Sequence, residues 1–255
     1  MSIRVSVISY LNTIPFVYGI LNHSVSGLIK LNYSTPAKAA NDLLEGKTDI
    51  GIIPSAVIPS LEKGQIVSDY CIGATGNVAS VLLCSAVPLE QIKRVYLDSE
   101  SRTSVLLSQI LFRNHWKVNP QYVEFNPNSE KIEYSATYIL IGDKALRNSG
   151  KFNYVYDLAR EWINYKNLPF VFACWTSNKE LDANFIKEFN DALKFGVENI
   201  ESAVKTIPHD FDSDFAYNYL VNNISYDLTP HKREGLAEFW SLALEEQKNT
   251  TELFG

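Results

Sequence analysis

The chain has 255 residues, of which 46% are hydrophobic and 20% are charged, a balance that is ordinary for a soluble globular protein. The net charge of −6 argues against a nucleic-acid partner, because phosphate binding requires a basic surface. No run of about eighteen or more apolar residues is present, so we predict neither a transmembrane helix nor a membrane partner. A strand pattern starts at Ile3 with no apolar signal core before it, so we expect a cytoplasmic protein if the native chain starts at Met1.

Strands alternate with helices in the first part of the chain, which predicts a mixed, mainly parallel sheet with helices on both faces. Pro36 suits the first turn of a helix and Gly46 suits its end. The predicted elements are strand 3–8, a helix near 14–22, a strand near 28–33, helix 36–46, strand 49–53, a short helix from Pro54-Ser55 and strand 78–85.

A second α/β unit is predicted to start near Pro88 and to be followed by helices. Its predicted elements are strand 94–98, helix 101–113, a short strand within the polar segment 117–133, and strands 137–141 and 168–175; the later helices start near 183, near 215 and at Pro230. We therefore expect two lobes, residues 1–86 plus 176–255 and residues 87–175, with the ligand cleft between them.

The sequence indicates no metal site and no cofactor. The odd number of cysteines and their apolar surroundings (Cys71, Cys84 and Cys174) fit neither a disulfide framework nor a zinc site, so we expect buried, inert thiols. The four histidines have no ligand spacing. Walker, GxGxxG and GxSxG motifs are absent, so neither a nucleotide cofactor nor a nucleophile-elbow hydrolase is indicated.

Four predicted strands end in polar residues, where open α/β sheets bind ligands. These strand ends are Asn12-Thr13, Pro54-Ser55, the run from Ser99 to Ser104 and Gly142-Asp143. Three of them precede helices, whose N-terminal backbone N–H groups can bind carboxylates or phosphates. In Ser101-Arg102-Thr103-Ser104, the hydroxyls and the guanidinium add further donors. The alternative is that these residues are ordinary turns and helix caps.

Ser80 is a small polar residue within the otherwise apolar predicted strand 78–85. If it is buried, its hydroxyl needs a hydrogen-bond partner. That partner is either the neighbouring backbone or a ligand.

These segments together resemble the chorismate dehydratases of menaquinone biosynthesis by the futalosine pathway. The matching segments occur in order over about residues 3–175. They are Val7-Ile8-Ser9-Tyr10-Leu11-Asn12-Thr13-Ile14-Pro15, Ile53-Pro54-Ser55, Gly76-Asn77-Val78-Ala79-Ser80 with 81–83, Leu97-Asp98-Ser99-Glu100-Ser101-Arg102-Thr103-Ser104, Ile141-Gly142-Asp143 with 144–146, and Asp157-Leu158-Ala159-Arg160-Glu161-Trp162 with 168–173.

The resemblance implies a two-lobed type II periplasmic-binding-protein-like α/β fold. It also implies elimination of water from chorismate to give 3-[(1-carboxyvinyl)oxy]benzoate, which is a carbon–oxygen lyase reaction. In that family, the Asn of the Tyr-Leu-Asn motif and a Ser of the Gly-x-Val-x-Ser motif are implicated in catalysis, and these correspond to Asn12 and Ser80. The expected substrate-binding residues are Tyr10, Thr13, Pro54, Ser55, Ser101, Arg102, Thr103, Ser104, Gly142 and Asp143.

None of the motifs supplies a His or a Glu pair as a base. We therefore expect the enolpyruvyl carboxylate of the substrate to remove the ring proton, with Asn12 and Ser80 as hydrogen-bonding groups. Asp143 is the alternative acid or base. The partner is thus a small dicarboxylate, and the sequence indicates no oligomeric state.

Two other functions fit parts of the sequence. The related dihydroxynaphthoate synthases have a Pro-Asn-Asp-Thr type of first turn and a His near the position of Gly142, whereas this chain has Tyr-Leu-Asn-Thr and Gly142-Asp143. A non-catalytic solute-binding protein for small carboxylates would share the fold, but an exported protein would normally carry a signal sequence.

Overall fold

The computed structural model describes residues 2–126 and 129–254. Strands β1 to β11 span Ile3–Ile8, Ile29–Ser34, Ile50–Pro54, Gln65–Ala74, Val81–Ser85, Arg94–Asp98, Gln121–Phe125, Tyr138–Ile141, Tyr154–Asp157, Phe170–Ser177 and Ser225–Asp227. Helices α1 to α9 span Ile14–Leu21, Pro36–Leu44, Arg102–Ile110, Gly142–Asn148, Leu158–Lys166, Ala183–Glu198, Ile200–Thr206, Ser213–Asn222 and Pro230–Phe254. The elements form an α/β fold, as predicted.

The chain divides into two compact units that differ from the predicted lobes. The first unit contains residues up to 74 and residues 171–229, and the second contains residues 75–170 and those from 230 onward. The prediction assigned β5 and α9 to the first lobe, which is wrong. β5 pairs with β8 and β9 of the second unit. α9 packs there too, because the Phe239 ring lies edge to face against Trp162 and Phe170, with ring centroids 6.2 and 5.0 Å apart.

The first unit is built on a six-stranded sheet in the order β11-β4-β10-β3-β1-β2. β1 runs parallel to β2 and β3, whereas β10 runs antiparallel to β3. β3 and β10 are buried along their whole length, as expected for strands covered on both faces. The carboxyl ends of β1 and β3 and the amino end of β10 therefore lie at one edge of this sheet.

Helices α1 and α6 of the first unit are in direct backbone contact. A Cβ atom on Gly19 would lie 2.0 Å from the carbonyl oxygen of Ala192, and one on Gly196 would lie 1.9 Å from that of Pro15. Only glycine fits such a close helix crossing. The predicted apolar face of α6 is confirmed, since Phe185, Phe189 and Leu193 are buried. α1, which follows the first polar strand end, is thus fixed against the core.

The second unit is built on a five-stranded sheet in the order β7-β6-β8-β5-β9. β6 runs parallel to β7 and β8, whereas β5 runs antiparallel to β8 and β9. Because of these directions, the carboxyl ends of β6, β8 and β9 lie at the same edge as the amino end of β5. Aromatic rings pack within this unit; Tyr138, for example, lies against Tyr96 and Phe125 with centroids 5.1 and 5.0 Å apart.

Candidate functional site

The first unit brings two of the predicted polar strand ends to one edge of its sheet. β1 is followed by the short 3-10 helix Leu11–Thr13, and β3 is followed by the 3-10 helix Ser55–Ser60. Because β1 and β3 are parallel neighbours, Asn12-Thr13 and Pro54-Ser55 occur at the same end of the two strands. We call this edge, with residues 9–13 and 54–55, the first-unit edge.

Asn12 lies at the first-unit edge, in the 3-10 helix that follows β1. Its backbone carbonyl accepts a 3.0 Å hydrogen bond from the hydroxyl of Tyr226, which is itself buried. Burial raises the pKa of the Tyr226 phenol well above its ordinary value, so the phenol stays protonated and able to donate. The Asn12 side chain is half-buried and makes no hydrogen bond to another residue in the described part of the chain. Its amide is therefore available to a ligand.

Two predicted ligand-binding hydroxyls of the first unit contact the backbone. Thr13 Oγ1 lies 2.5 Å from the carbonyl oxygen of Ile8 and 2.8 Å from that of Tyr10, and Thr13 is buried. Ser55 is also buried and donates from Oγ to the carbonyl oxygen of Val171 at 2.7 Å. These hydrogen bonds hold the strand ends in place, and Tyr10 lies half-buried beside them.

The second unit brings four polar segments to one edge of its sheet. Val81 at the start of β5 pairs with Ile141 at the end of β8, and Leu82 pairs with Asp157 at the end of β9. The N–H of Gly142 donates to the carbonyl oxygen of Ser80 at 2.7 Å. The second-unit edge comprises residues 76–80, 99–104, 142–143 and 157.

The residues before β5 form a loop instead of the predicted strand start. The prediction placed Ser80 within a strand over 78–85, but β5 begins at Val81. Ala79 has φ of 61°, in the left-handed region that interrupts an extended strand. Its N–H donates to Asp157 Oδ2 at 2.7 Å. Ser80 is buried, with 1% of its surface exposed, and begins the pairing with β8 through its carbonyl oxygen.

The segment after β6 caps helix α3. Ser101 is the N-cap residue, and its Oγ accepts from the N–H of Ser104 at 3.3 Å. Arg102 is exposed, whereas Thr103 and Ser104 are buried. Ser101 thus forms the helix cap that was the alternative expected for this segment. A cavity of about 290 Å³ lies at this segment, with Asp98, Ser101 and Arg102 among its lining residues.

Asp98 at the end of β6 is a buried carboxyl that is not among the predicted site residues. Its Oδ1 accepts from the N–H of Glu100 at 2.9 Å, and its Oδ2 has no hydrogen-bond partner among the described residues. Burial raises the pKa of Asp98 to about 6, although the hydrogen bond from Glu100 opposes the shift. Lys144 donates to Glu100 Oε2 at 3.2 Å, which ties the segment after β6 to α4.

Gly142 and Asp143 begin α4, next to this ion pair. Gly142 is buried and has φ of 55°, a conformation that favours glycine. Asp143 is half-buried in the first turn, where a carboxylate is favoured by the helix dipole. Both residues thus belong to the second-unit edge.

Within the part of the chain that the structure describes, no group of three or more His, Cys, Asp or Glu side chains is placed to bind a metal ion. The cysteines are free and buried, as predicted, and burial raises the pKa of the Cys84 thiol to about 12. None of the described helices combines the length and the apolar composition needed to cross a membrane.

Sequence comparison agrees with the resemblance found in the motifs. A family model described as menaquinone biosynthesis matches residues 3–245. The chain is also 26% identical over 167 residues to the chorismate dehydratase of Thermus thermophilus. That alignment covers 58% of this chain and 61% of the relative, so less than two thirds of the relative's length is matched.

Solved structures similar to this chain have periplasmic-binding-protein-like folds. A protein of Archaeoglobus fulgidus superposes with a TM-score of 0.76 at 14% identity, over 96% of this chain and 98% of that one. A Candida albicans protein described as having the generic periplasmic binding protein fold gives a TM-score of 0.60 at 15% identity, over 95% and 90% of the two chains. At these identities the likeness establishes the fold alone, and the predicted fold class is confirmed.

Proposed function

The chain belongs to the menaquinone biosynthesis family, and we propose that it is a chorismate dehydratase of the futalosine pathway. It would convert chorismate to 3-[(1-carboxyvinyl)oxy]benzoate and water. The similarity to a chorismate dehydratase carries the proposal. The polar strand ends at the edges of both sheets support it, because they offer uncharged donors and helix N-termini to a small dicarboxylate.

The reaction requires a proton and a hydroxyl group to leave neighbouring ring carbons. A base removes the proton from the carbon that carries the enol ether, and the electron pair of that C–H bond becomes a ring double bond. The C–O bond of the adjacent hydroxyl breaks, and the hydroxyl leaves with a proton as water. The six-membered ring thereby becomes aromatic.

We assign the base to the enolpyruvyl carboxylate of chorismate itself. The motif segments contain no His, and the amide of Asn12 is uncharged at all ordinary pH values. Asn12 would instead donate a hydrogen bond that orients the carboxylate towards the ring proton. Its amide is suited to this role because it has no intramolecular hydrogen bond in the described residues. Asp143 is the alternative base.

We assign Ser80 to the departing hydroxyl. Ser80 is buried, and a hydrogen bond to developing charge is worth more in a water-poor site than in bulk solvent. The exposed guanidinium of Arg102 and the backbone N–H groups at the start of α3 are the groups we propose for the ring carboxylate. The other residues that we propose to contact the substrate are Tyr10, Thr13, Pro54, Ser55 and the residues after Ser101.

The experiment combines calorimetric titration with chorismate and absorbance spectroscopy of the same sample. A dehydratase gives the absorbance of a benzoate product and loses chorismate with time. Binding of chorismate without any change in absorbance, beside an active control enzyme, would reject the dehydratase and favour a solute-binding protein. Absence of both binding and turnover would reject chorismate as the ligand.

A further inference from the structure

Asp157 joins the start of helix α5 to the loop that carries Ser80. Its Oδ1 accepts hydrogen bonds from the N–H groups of Ala159 and Arg160, both at 3.1 Å, and thereby caps α5. Its Oδ2 accepts from the N–H of Ala79 at 2.7 Å. One oxygen of the Asp157 carboxylate thus binds the start of α5, and the other binds the loop before β5.

The loop needs such an anchor because Ala79 has φ of 61°. Residues with a Cβ atom avoid this left-handed region, and they remain in it only when surrounding contacts fix them. A second hydrogen bond comes from the same turn of α5, where Arg160 Nε donates to Asn77 Oδ1 at 2.8 Å. On the other side, the N–H of Gly142 holds the carbonyl oxygen of Ser80.

We propose that Asp157 is a positioning residue, which fixes the backbone at Ala79 and so orients Ser80 for the dehydration. This inference rests on the proposed function for its kinetic consequences. Its structural part, the anchoring of the Ala79 N–H, is independent of the reaction. Asp157 acts through the backbone, so we do not assign it any contact with substrate.

The substitution Asp157→Asn separates the two tasks of the carboxylate. Asparagine caps helices about as well as aspartate, so its remaining oxygen can still accept from Ala159 and Arg160. Its NH₂ group then faces the N–H of Ala79 and cannot accept a hydrogen bond. The cap is retained and the anchor is lost.

Asp212 provides the matched control. Its Oδ1 accepts from the N–H groups of Asp214 and Phe215, both at 3.0 Å, in the same cap pattern at the start of α8. It lies in the first unit and is exposed. Asp212→Asn therefore makes the same chemical change at a helix cap that has no connection to Ser80.

The first readout is hydrogen exchange of the Ala79 amide, measured by NMR in the whole protein. We expect a protected amide in the parent and in Asp212→Asn, and faster exchange in Asp157→Asn. An Ala79 amide that exchanges freely in the parent would overturn the inference without any variant being needed. Equal protection in the parent and in Asp157→Asn would overturn it as well.

The second readout is a double-mutant cycle with Ser80→Ala, measured as kcat and KM for chorismate. We expect Asp157→Asn to lower kcat on the order of 10²-fold with little change in KM, because small displacements of a reacting group have effects of that size. In the Ser80→Ala background, the same change should cost less than about twofold, because the residue acts through Ser80. Losses that multiply in the double variant, or a parental kcat in Asp157→Asn, would overturn the positioning role. If the parent itself does not convert chorismate, the proposed function fails, and the exchange measurement alone decides the anchoring.

Discussion

The N–H of Gly142 donates a 2.7 Å hydrogen bond to the carbonyl oxygen of Ser80. This contact joins two motifs that are far apart in the sequence, one before β5 and one after β8. It exists because the two strands run antiparallel and start and end at the same edge of the sheet. The backbone position of Ser80 therefore depends on that of Gly142.

Replacing Gly142 by alanine should impair both stability and activity. Gly142 has φ of 55°, and an L-residue in that conformation costs about 1 kcal/mol relative to glycine. Gly46, with φ of 67° at the end of α2, is the matched control, because a Cβ atom there would meet nothing within 4 Å. We expect similar losses of thermal stability in Gly142→Ala and Gly46→Ala, but a reduced kcat for chorismate only in Gly142→Ala. Equal kcat values in the two variants would contradict a link between Gly142 and Ser80.

Asn12→Ala should remove activity with little effect on stability. Its side chain makes no hydrogen bond within the described residues, so folding loses no such contact. Loss of a transition-state donor typically lowers kcat about 10²–10³-fold. Asn22 at the other end of α1 is the control, since its Nδ2 donates to the carbonyl oxygen of Tyr18 at 2.9 Å. Asn22→Ala should lose about 0.5–1 kcal/mol of stability and keep its kcat. An unchanged kcat in Asn12→Ala would remove Asn12 from the mechanism.

Asp98→Asn should change how the free energy of unfolding depends on pH. Burial raises the pKa of Asp98 to about 6 in the folded protein, above the ordinary value of an unfolded chain. The folded state then binds more protons than the unfolded state between pH ~4 and pH ~6, so the parent loses stability as the pH rises through this window. Asparagine does not titrate, and its oxygen can still accept from the N–H of Glu100.

The free energy of unfolding of Asp98→Asn, relative to that of the parent, should therefore increase from pH ~4 to pH ~6 and stay constant at higher pH. Chemical unfolding at about pH 4.5 and about pH 8 measures this difference. A difference that is the same at both pH values would show that Asp98 titrates with an ordinary pKa in the folded protein.

The sequence predicts which polar residues lie at the strand ends, but it does not predict the hydrogen bonds that fix them. Residue type and hydrophobic pattern are local properties, so Asn12 at the end of β1 was predicted, and Ser101 as the cap of α3 was the alternative given for its segment. The left-handed backbone at Ala79 was not, because alanine gives no signal for that conformation. The hydrogen bond from Ala79 to Asp157 links residues 78 positions apart and depends on the pairing of β5 with β9. The helical pattern of α9 was likewise clear from the sequence, but the elements against which α9 packs could not be predicted.

The sequence did not predict β9 and β11, which are short or half-exposed strands, for a related reason. β9 spans only Tyr154–Asp157 and has no buried residue, and β11 spans only Ser225–Asp227. Such strands are formed by pairing with a neighbour, and their own hydrophobic pattern is weak. Asp157 at the end of β9 was therefore part of a motif in the sequence prediction, but no role was predicted for it.

We propose that this chain dehydrates chorismate with the help of Asn12 and Ser80. The most direct measurement is liquid chromatography with mass spectrometry of chorismate incubated with the parent protein and with an Asn12→Ala/Ser80→Ala double variant purified in the same way. With the parent we expect a product that is lighter than chorismate by one water and identical to 3-[(1-carboxyvinyl)oxy]benzoate, and with the double variant almost none. Unchanged chorismate with the parent, or equal product from both proteins, would contradict it.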